Sequence, residues 1–152
     1  VATEERPTAP RNLLARYHAD LICALPEEEV EKVRIRLGAN LLQPFIDSLD
    51  GTPLSAPEVK QRLEAYLRDE LGMADYIKVT AEGKEVSVEI KGCHLCFGND
   101  LLRARGKQGC CPFAPGINRA LSRALQGGSR LQGVAKAPGK TGECVIKYSA
   151  GG

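Results

Sequence analysis

Tryptophan is absent from this chain, aromatic residues make up only 5% of it, and there are one methionine and two histidines. With so few rings, the core has to be assembled from Leu, Val, Ile and Ala. A cysteine–histidine nucleophile pair could draw only on His18 or His94, and neither stands in a recognisable setting. There is no Gly-x-Ser-x-Gly elbow, no Walker-type phosphate loop and no His-Glu-x-x-His, so the sequence assigns no catalytic residue and reads as more binding protein than enzyme. No run approaches the ~18 apolar residues needed to span a bilayer, and the start lacks the charged and apolar regions of a signal peptide, which leads to the expectation of a soluble, cytoplasmic protein.

What the chain does contain is cysteine. Of its 6 cysteines, Cys93, Cys96, Cys110 and Cys111 lie between Gly92 and Pro115, in Gly-Cys-His-Leu-Cys-Phe-Gly and Gly-Cys-Cys-Pro-Phe-Ala-Pro. In a cytosolic protein such density favours thiol or metal chemistry over structural disulfides. A turn holding Cys93 and Cys96 three apart aims both sulfurs at one point, and a second segment supplies the remaining ligands of a zinc or iron–sulfur centre. Adjacent Cys110 and Cys111 leave the chain in different directions, so one metal would take one of them, with His94, Cys144 or water as the fourth ligand. The competing use is redox. A Cys-x-x-Cys oxidoreductase wants its first cysteine at a helix N-terminus, whereas a hairpin reading places Cys93 just after a strand; residues Phe97 to Leu102 still allow a helix to start there. His18 and Cys23 are five apart on a helix and read as a surface or capped imidazole and a small buried thiol rather than a metal pair.

With 152 residues the chain is the size of one domain, here an extended lead-in over 1–10 and a single α+β domain over 11–152, helical over 11–72 and sheet with cysteine site over 73–152. The spacing of Leu13, Leu14, Tyr17, Leu21, Ile22 and Leu25 predicts a helix over 12–25 with those residues as its buried face. Pro26 with Glu27, Glu28 and Glu29 opens a second helix, striped by Val30, Val33, Leu37 and Leu41, and Pro44 is expected to end or kink it. Ser55-Ala56-Pro57-Glu58 is a capping box for a third helix, buried through Val59, Leu63, Tyr66, Leu67 and Leu71 and closed by Gly72. The period then changes. Tyr76–Ala81 and Glu85–Lys91 alternate around Glu82-Gly83-Lys84 as a hairpin, a short helix follows Pro115, and Arg130–Ala137 with Glu143–Ser149 form a second hairpin. Cys144, Ile146 and Tyr148 would share one face. The fold class is therefore α+β: three N-terminal helices, then two hairpins forming an antiparallel sheet of about four strands, with helices on one face and a short helix between the hairpins.

Charge is uneven. Residues 1–70 carry 13 acidic against 9 basic side chains, and the remainder 6 against 12. A basic second half would attract nucleic acid or an anionic ligand. Arg103, Arg105 and Lys107 form a basic span without interleaved aromatics, which reads as an exposed loop rather than a nucleic-acid surface. Arg119 and Arg123, four apart on the short helix, could meet a carboxylate at a pocket mouth.

Gly109-Cys110-Cys111-Pro112-Phe113-Ala114-Pro115-Gly116-Ile117, a short helix, and a hairpin ending Gly142-Glu143-Cys144-Val145-Ile146 together resemble the 4-vinyl reductase domain, a hydrocarbon-binding module related to the transport-particle subunit fold. The match covers about residues 85–149. The resemblance implies a commonly dimeric α/β fold with a cavity for a hydrocarbon-like, aromatic or lipid ligand, and in several members a cysteine-bound zinc. It aligns Cys144 with the family's late cysteine and Cys110 or Cys111 with the one before the helix. Zinc-binding members carry a further acid and cysteine shortly before the last cysteine; here Val134-Ala135-Lys136-Ala137 occupies that stretch, which shifts weight onto Cys93 and Cys96.

The expectation is thus a small-molecule-binding domain, a homodimer through its N-terminal helices, with a metal held by cysteines among Cys93, Cys96, Cys110, Cys111 and Cys144. A pocket for a small hydrophobic molecule would be lined by Leu95, Phe97, Phe113 and Ile117, with Arg119 and Arg123 at its mouth. The metal would be zinc, or alternatively an iron–sulfur cluster. A Cys-x-x-Cys redox protein is the second reading and a nucleic-acid-binding regulator the third.

Overall fold

The computed structural model describes residues 10–151, so nearly all of the expected lead-in lies outside the described residues. Five α-helices and four strands follow in the order α1 Arg11–Ala24, α2 Val30–Asp47, α3 Ala56–Ala65, β1 Ala74–Glu82, β2 Glu85–Cys93, α4 His94–Ala104, α5 Phe113–Ala124, β3 Ser129–Lys136 and β4 Cys144–Ala150. Among the described residues no helix is long and apolar enough to cross a membrane.

The sheet is antiparallel throughout, in the order β1-β2-β4-β3. Strand alternation puts every second side chain on one face. Ile77 pairs with Ile90 and Val79 with Val88 across the first hairpin, while Val86, Val88 and Ile90 pair with Tyr148, Ile146 and Cys144. That face is buried under α3, which lies on β1, and α5, which lies on β3 and β4. Lys78, Lys147 and other polar side chains point the other way. Both hairpins and the helix-covered face agree with the sequence pattern.

Helix α3 starts at the expected capping box: Ser55 Oγ accepts from the Glu58 amide at 3.4 Å and the Glu58 carboxylate accepts from the Ser55 amide at 3.3 Å. A π-helical turn, Tyr66–Glu70, then leads to Gly72 in the left-handed conformation. Of the expected stripe Val59, Leu63, Tyr66 and Leu67 are buried, and Leu71 is half-buried against the same core.

Three features depart from the sequence reading. Helix α2 does not end at Pro44 but runs on to Asp47; the carbonyl that loses its N–H partner to the proline belongs to exposed Asn40, where the loss costs least. Helix α1 buries a face rotated from the expected one: Ala15, His18 and Ala19 are inside together with the expected Ile22, Leu14 and Leu25 are half-buried, and Leu13, Tyr17 and Leu21 are exposed. Small residues win there because α1 packs closely on α4. A Cβ on Gly98 would stand 2.8 Å from the Ala15 carbonyl oxygen and 2.8 Å from the His18 ring. The third departure is α4 itself, which makes two helices, not one, between the hairpins.

Candidate dithiol site

The path of the chain delivers the Cys-x-x-Cys segment to a helix start. Strand β2 ends at Cys93, Gly92 before it turns with φ 70°, and Cys93 is the residue capping α4. The first amides of a helix lack intrahelical partners and carry the positive end of its dipole, which favours a thiolate at this end of α4. Two backbone bonds fix this start: the Cys93 amide donates to the Gly142 carbonyl at 3.1 Å and the His94 amide to the Met73 carbonyl at 3.1 Å. Gly142 lies in the loop between β3 and β4 with φ 83°, and a Cβ there would come 3.0 Å from the Cys93 nitrogen, so only glycine lets the loop approach so closely.

The pair shares a proton unequally. The Cys93 thiol donates to the Cys96 sulfur, which brings Cys96 down to about 7; burial opposes this, and Lys136 and Arg103 assist it. Cys93 moves the other way, pushed up by that same hydrogen bond to Cys96 and then by burial. Cys93 is 2% exposed and Cys96 9%, and Cys96 lines a surface cleft with Asp100, Lys136 and the 139–143 loop. The second cysteine of the motif is therefore the more exposed and the more acidic of the two.

The other cysteines divide between two cores. Cys144 faces the same buried layer, with its thiol pushed up to about 12 by burial and then by Cys96 and Cys111. Cys111 packs against this core from the loop before α5; burial raises its thiol and the amides of Ala114 and Phe113 only partly offset that. Arg34 of α2 holds its backbone in place, Nε donating to the Cys111 carbonyl at 2.9 Å. Cys110 is turned the opposite way, into a smaller core with Ala19, Ile22 and Leu102, as the expectation for adjacent cysteines required. Cys23, on α1, is half-buried beside that smaller core, 3.6 Å from an Arg105 nitrogen. All six thiols are free. Among the described residues no group of three or more His, Cys, Asp and Glu side chains is disposed to hold a metal ion.

The residues expected to line an apolar pocket lie as follows. Phe113 and Ile117 are buried in the main core, and half-buried Leu95 packs against it. Phe97 lies under the Arg11 guanidinium, 4.7 Å from ring centroid to Cζ. Arg119 donates to Gln43 at 3.0 Å and Arg123 is exposed. In the basic span, Arg103 pairs with Asp100 at 2.9 Å and Arg105 with Asp20 at 2.8 Å, so acids of this chain already engage two of its three cations. His94 is the first residue of α4 and half-buried.

Sequence reasoning missed His18 and Asn99 as structural polar groups. His18 Nε2 and Asn99 Oδ1 are 2.9 Å apart, and the same Oδ1 accepts from the Cys110 amide at 2.8 Å, all in a buried setting. A polar residue on the inner face of a helix breaks the apolar period, so nothing in the pattern marked it.

No family model matches the chain, and no curated protein matches it. The likeness to the 4-vinyl reductase domain accordingly rests on the quoted motifs alone.

Proposed function

We propose that this protein is a dithiol–disulfide exchange module whose working pair is Cys93 and Cys96. The observation that supports it is the position of the pair: Cys93 caps α4, and Cys96, held acidic by the Cys93 thiol, lines the cleft. The Cys96 thiolate attacks one sulfur of a disulfide R–S–S–R, forming Cys96–S–S–R and expelling R–S⁻. Cys93 then gives up its proton and attacks the Cys96 sulfur, closing the Cys93–Cys96 disulfide and releasing the second R–S⁻; two electrons pass from protein to substrate and the sequence runs backwards with a dithiol reductant.

The test is equilibration of the native protein in dithiothreitol redox buffers, followed by peptide mass mapping. A Cys93–Cys96 crosslink formed with the loss of two hydrogens, and a mixed disulfide trapped on Cys96 in Cys93→Ser, are expected. Stoichiometric zinc or iron in the untreated protein, with both cysteines protected until it is chelated, would replace this reading by the metal-bound one.

A further inference from the structure

The cleft over Cys96 has a volume of about 270 Å³ and is bounded by Cys96, Asp100, Lys136, Lys140, Thr141 and Glu143, with glycines of the 139–142 turn between them. Two acids and two lysines line it, and they are unequally paired. Asp100 receives Arg103 at 2.9 Å through one oxygen and the Thr141 hydroxyl at 2.6 Å through the other. Glu143 faces Lys140 at 3.9 Å. The Lys136 side chain alone among these charged groups has neither hydrogen bond nor ion pair among the described residues. It stands at the end of β3, opposite Cys144 in the sheet, and lines the same cleft as Cys96.

An unspent ammonium beside a reactive sulfur is a recognition element for the other half of a substrate. The volume falls just below the ~300–1,000 Å³ of ordinary small-molecule sites, which suits a compact molecule with one sulfur at Cys96 and an anionic group a few bonds away. We propose that the cleft selects small disulfides bearing a carboxylate near the sulfur, seating the carboxylate on Lys136 while one sulfur meets Cys96. This rests on the dithiol reading and adds the substrate class. Exchange follows the balance already given: Cys96 takes one half of the substrate, the other half leaves as a thiolate, and Cys93 displaces the first half as a second thiolate. During the mixed-disulfide stage the bound half keeps its carboxylate on Lys136, which holds Cys96 in place for attack by Cys93.

The experiment compares the oxidation rate of the reduced protein by three probes at low ionic strength: 5,5′-dithiobis(2-nitrobenzoate), which is anionic, 4,4′-dipyridyl disulfide, which is neutral, and cystamine, which is cationic. Working at about pH 9, where the Cys96 thiolate is formed throughout, removes any effect of Lys136 on thiol acidity. Lys136→Glu is expected to slow the anionic probe by about tenfold, leave the neutral one unchanged and speed the cationic one, with the contrast collapsing in high salt. Lys136 is exposed on an edge strand, so the substitution leaves the fold intact, and coincident melting curves verify this. Equal slowing of all three probes, or no change with any, overturns the proposal while leaving the dithiol reading standing. If none of the three oxidises Cys93 and Cys96 in the unaltered protein, the dithiol reading falls with it.

Discussion

Four thiols in one buried layer behave differently because each has a different neighbour. Burial by itself disfavours a thiolate, and Cys144 shows the result, held neutral to about 12. Cys96 escapes because a thiol donates to it and two cations lie within electrostatic reach. An acid whose folded value lies below its free value is ionised in the fold over a range where the unfolded chain still holds the proton. The resulting stabilisation is complete above the free thiol range near 8.5 and is lost as pH falls through about 7. Reactivity follows the same titration. Alkylation of Cys96 by iodoacetamide, read from its tryptic peptide, is expected to rise to half its maximal rate near pH 7, and Cys93→Ala, which removes the donor, is expected to move that midpoint upward. Coincident midpoints near 8.5 in both proteins would show that Cys93 does not acidify its neighbour.

At the scale of elements, close helix crossings position the loops that carry cysteines. Helices α2 and α5 touch backbone to backbone at Gly38 and Gly116: a Cβ on Gly38 would run into the Pro112 carbonyl and lie 2.9 Å from the Gly116 nitrogen. Pro112 follows Cys111, so this crossing sets where Cys111 meets the core. Gly38→Ala forces a shift of backbone rather than of a side-chain tip, and a loss of about 1–3 kcal/mol in urea unfolding is expected. Stability equal to or above that of the unaltered protein would mean the crossing relaxes without cost. The helices differ in how readable they were. The Ser55–Glu58 box and the alternating strands were legible because their signals are local: a cap within four residues and a period of two. Helix α4 was not, because its buried positions include Gly98 and Asn99, which carry no apolar signal. Helix α1 was found but its inner face was placed too far round, since Ala15 and Ala19 permit close approach and Ile22 is buried as expected while Leu13, Tyr17 and Leu21 face outward. The placing of Cys93 at a helix start depended on α4, so the better redox geometry was hidden by the same two residues.

Over the whole molecule the described residues form two apolar clusters of unequal size, one between the sheet and α2, α3 and α5, the other between α1, α4 and the Cys110 loop. Helix α4 belongs to both, with Cys96 facing the larger and Leu102 the smaller. The smaller cluster is thin, and its junction is fixed by Asn99, whose single oxygen serves the His18 ring and the Cys110 amide. Removing that oxygen leaves two buried groups without a partner, each at a cost of about 1–3 kcal/mol, and the deficit falls on α1 and the Cys110 loop rather than on the sheet. Opening of a weakly held unit precedes global unfolding when its own contacts are few. In Asn99→Ala, amide hydrogen exchange of residues 15–23 and alkylation of Cys110 are therefore expected to accelerate together by at least about tenfold, the factor for 1.4 kcal/mol, while amides of β2 and β4 keep their protection. A uniform acceleration through helices and sheet alike would show instead that the two clusters unfold as one, and that Asn99 stabilises the molecule without acting as the latch of its smaller part.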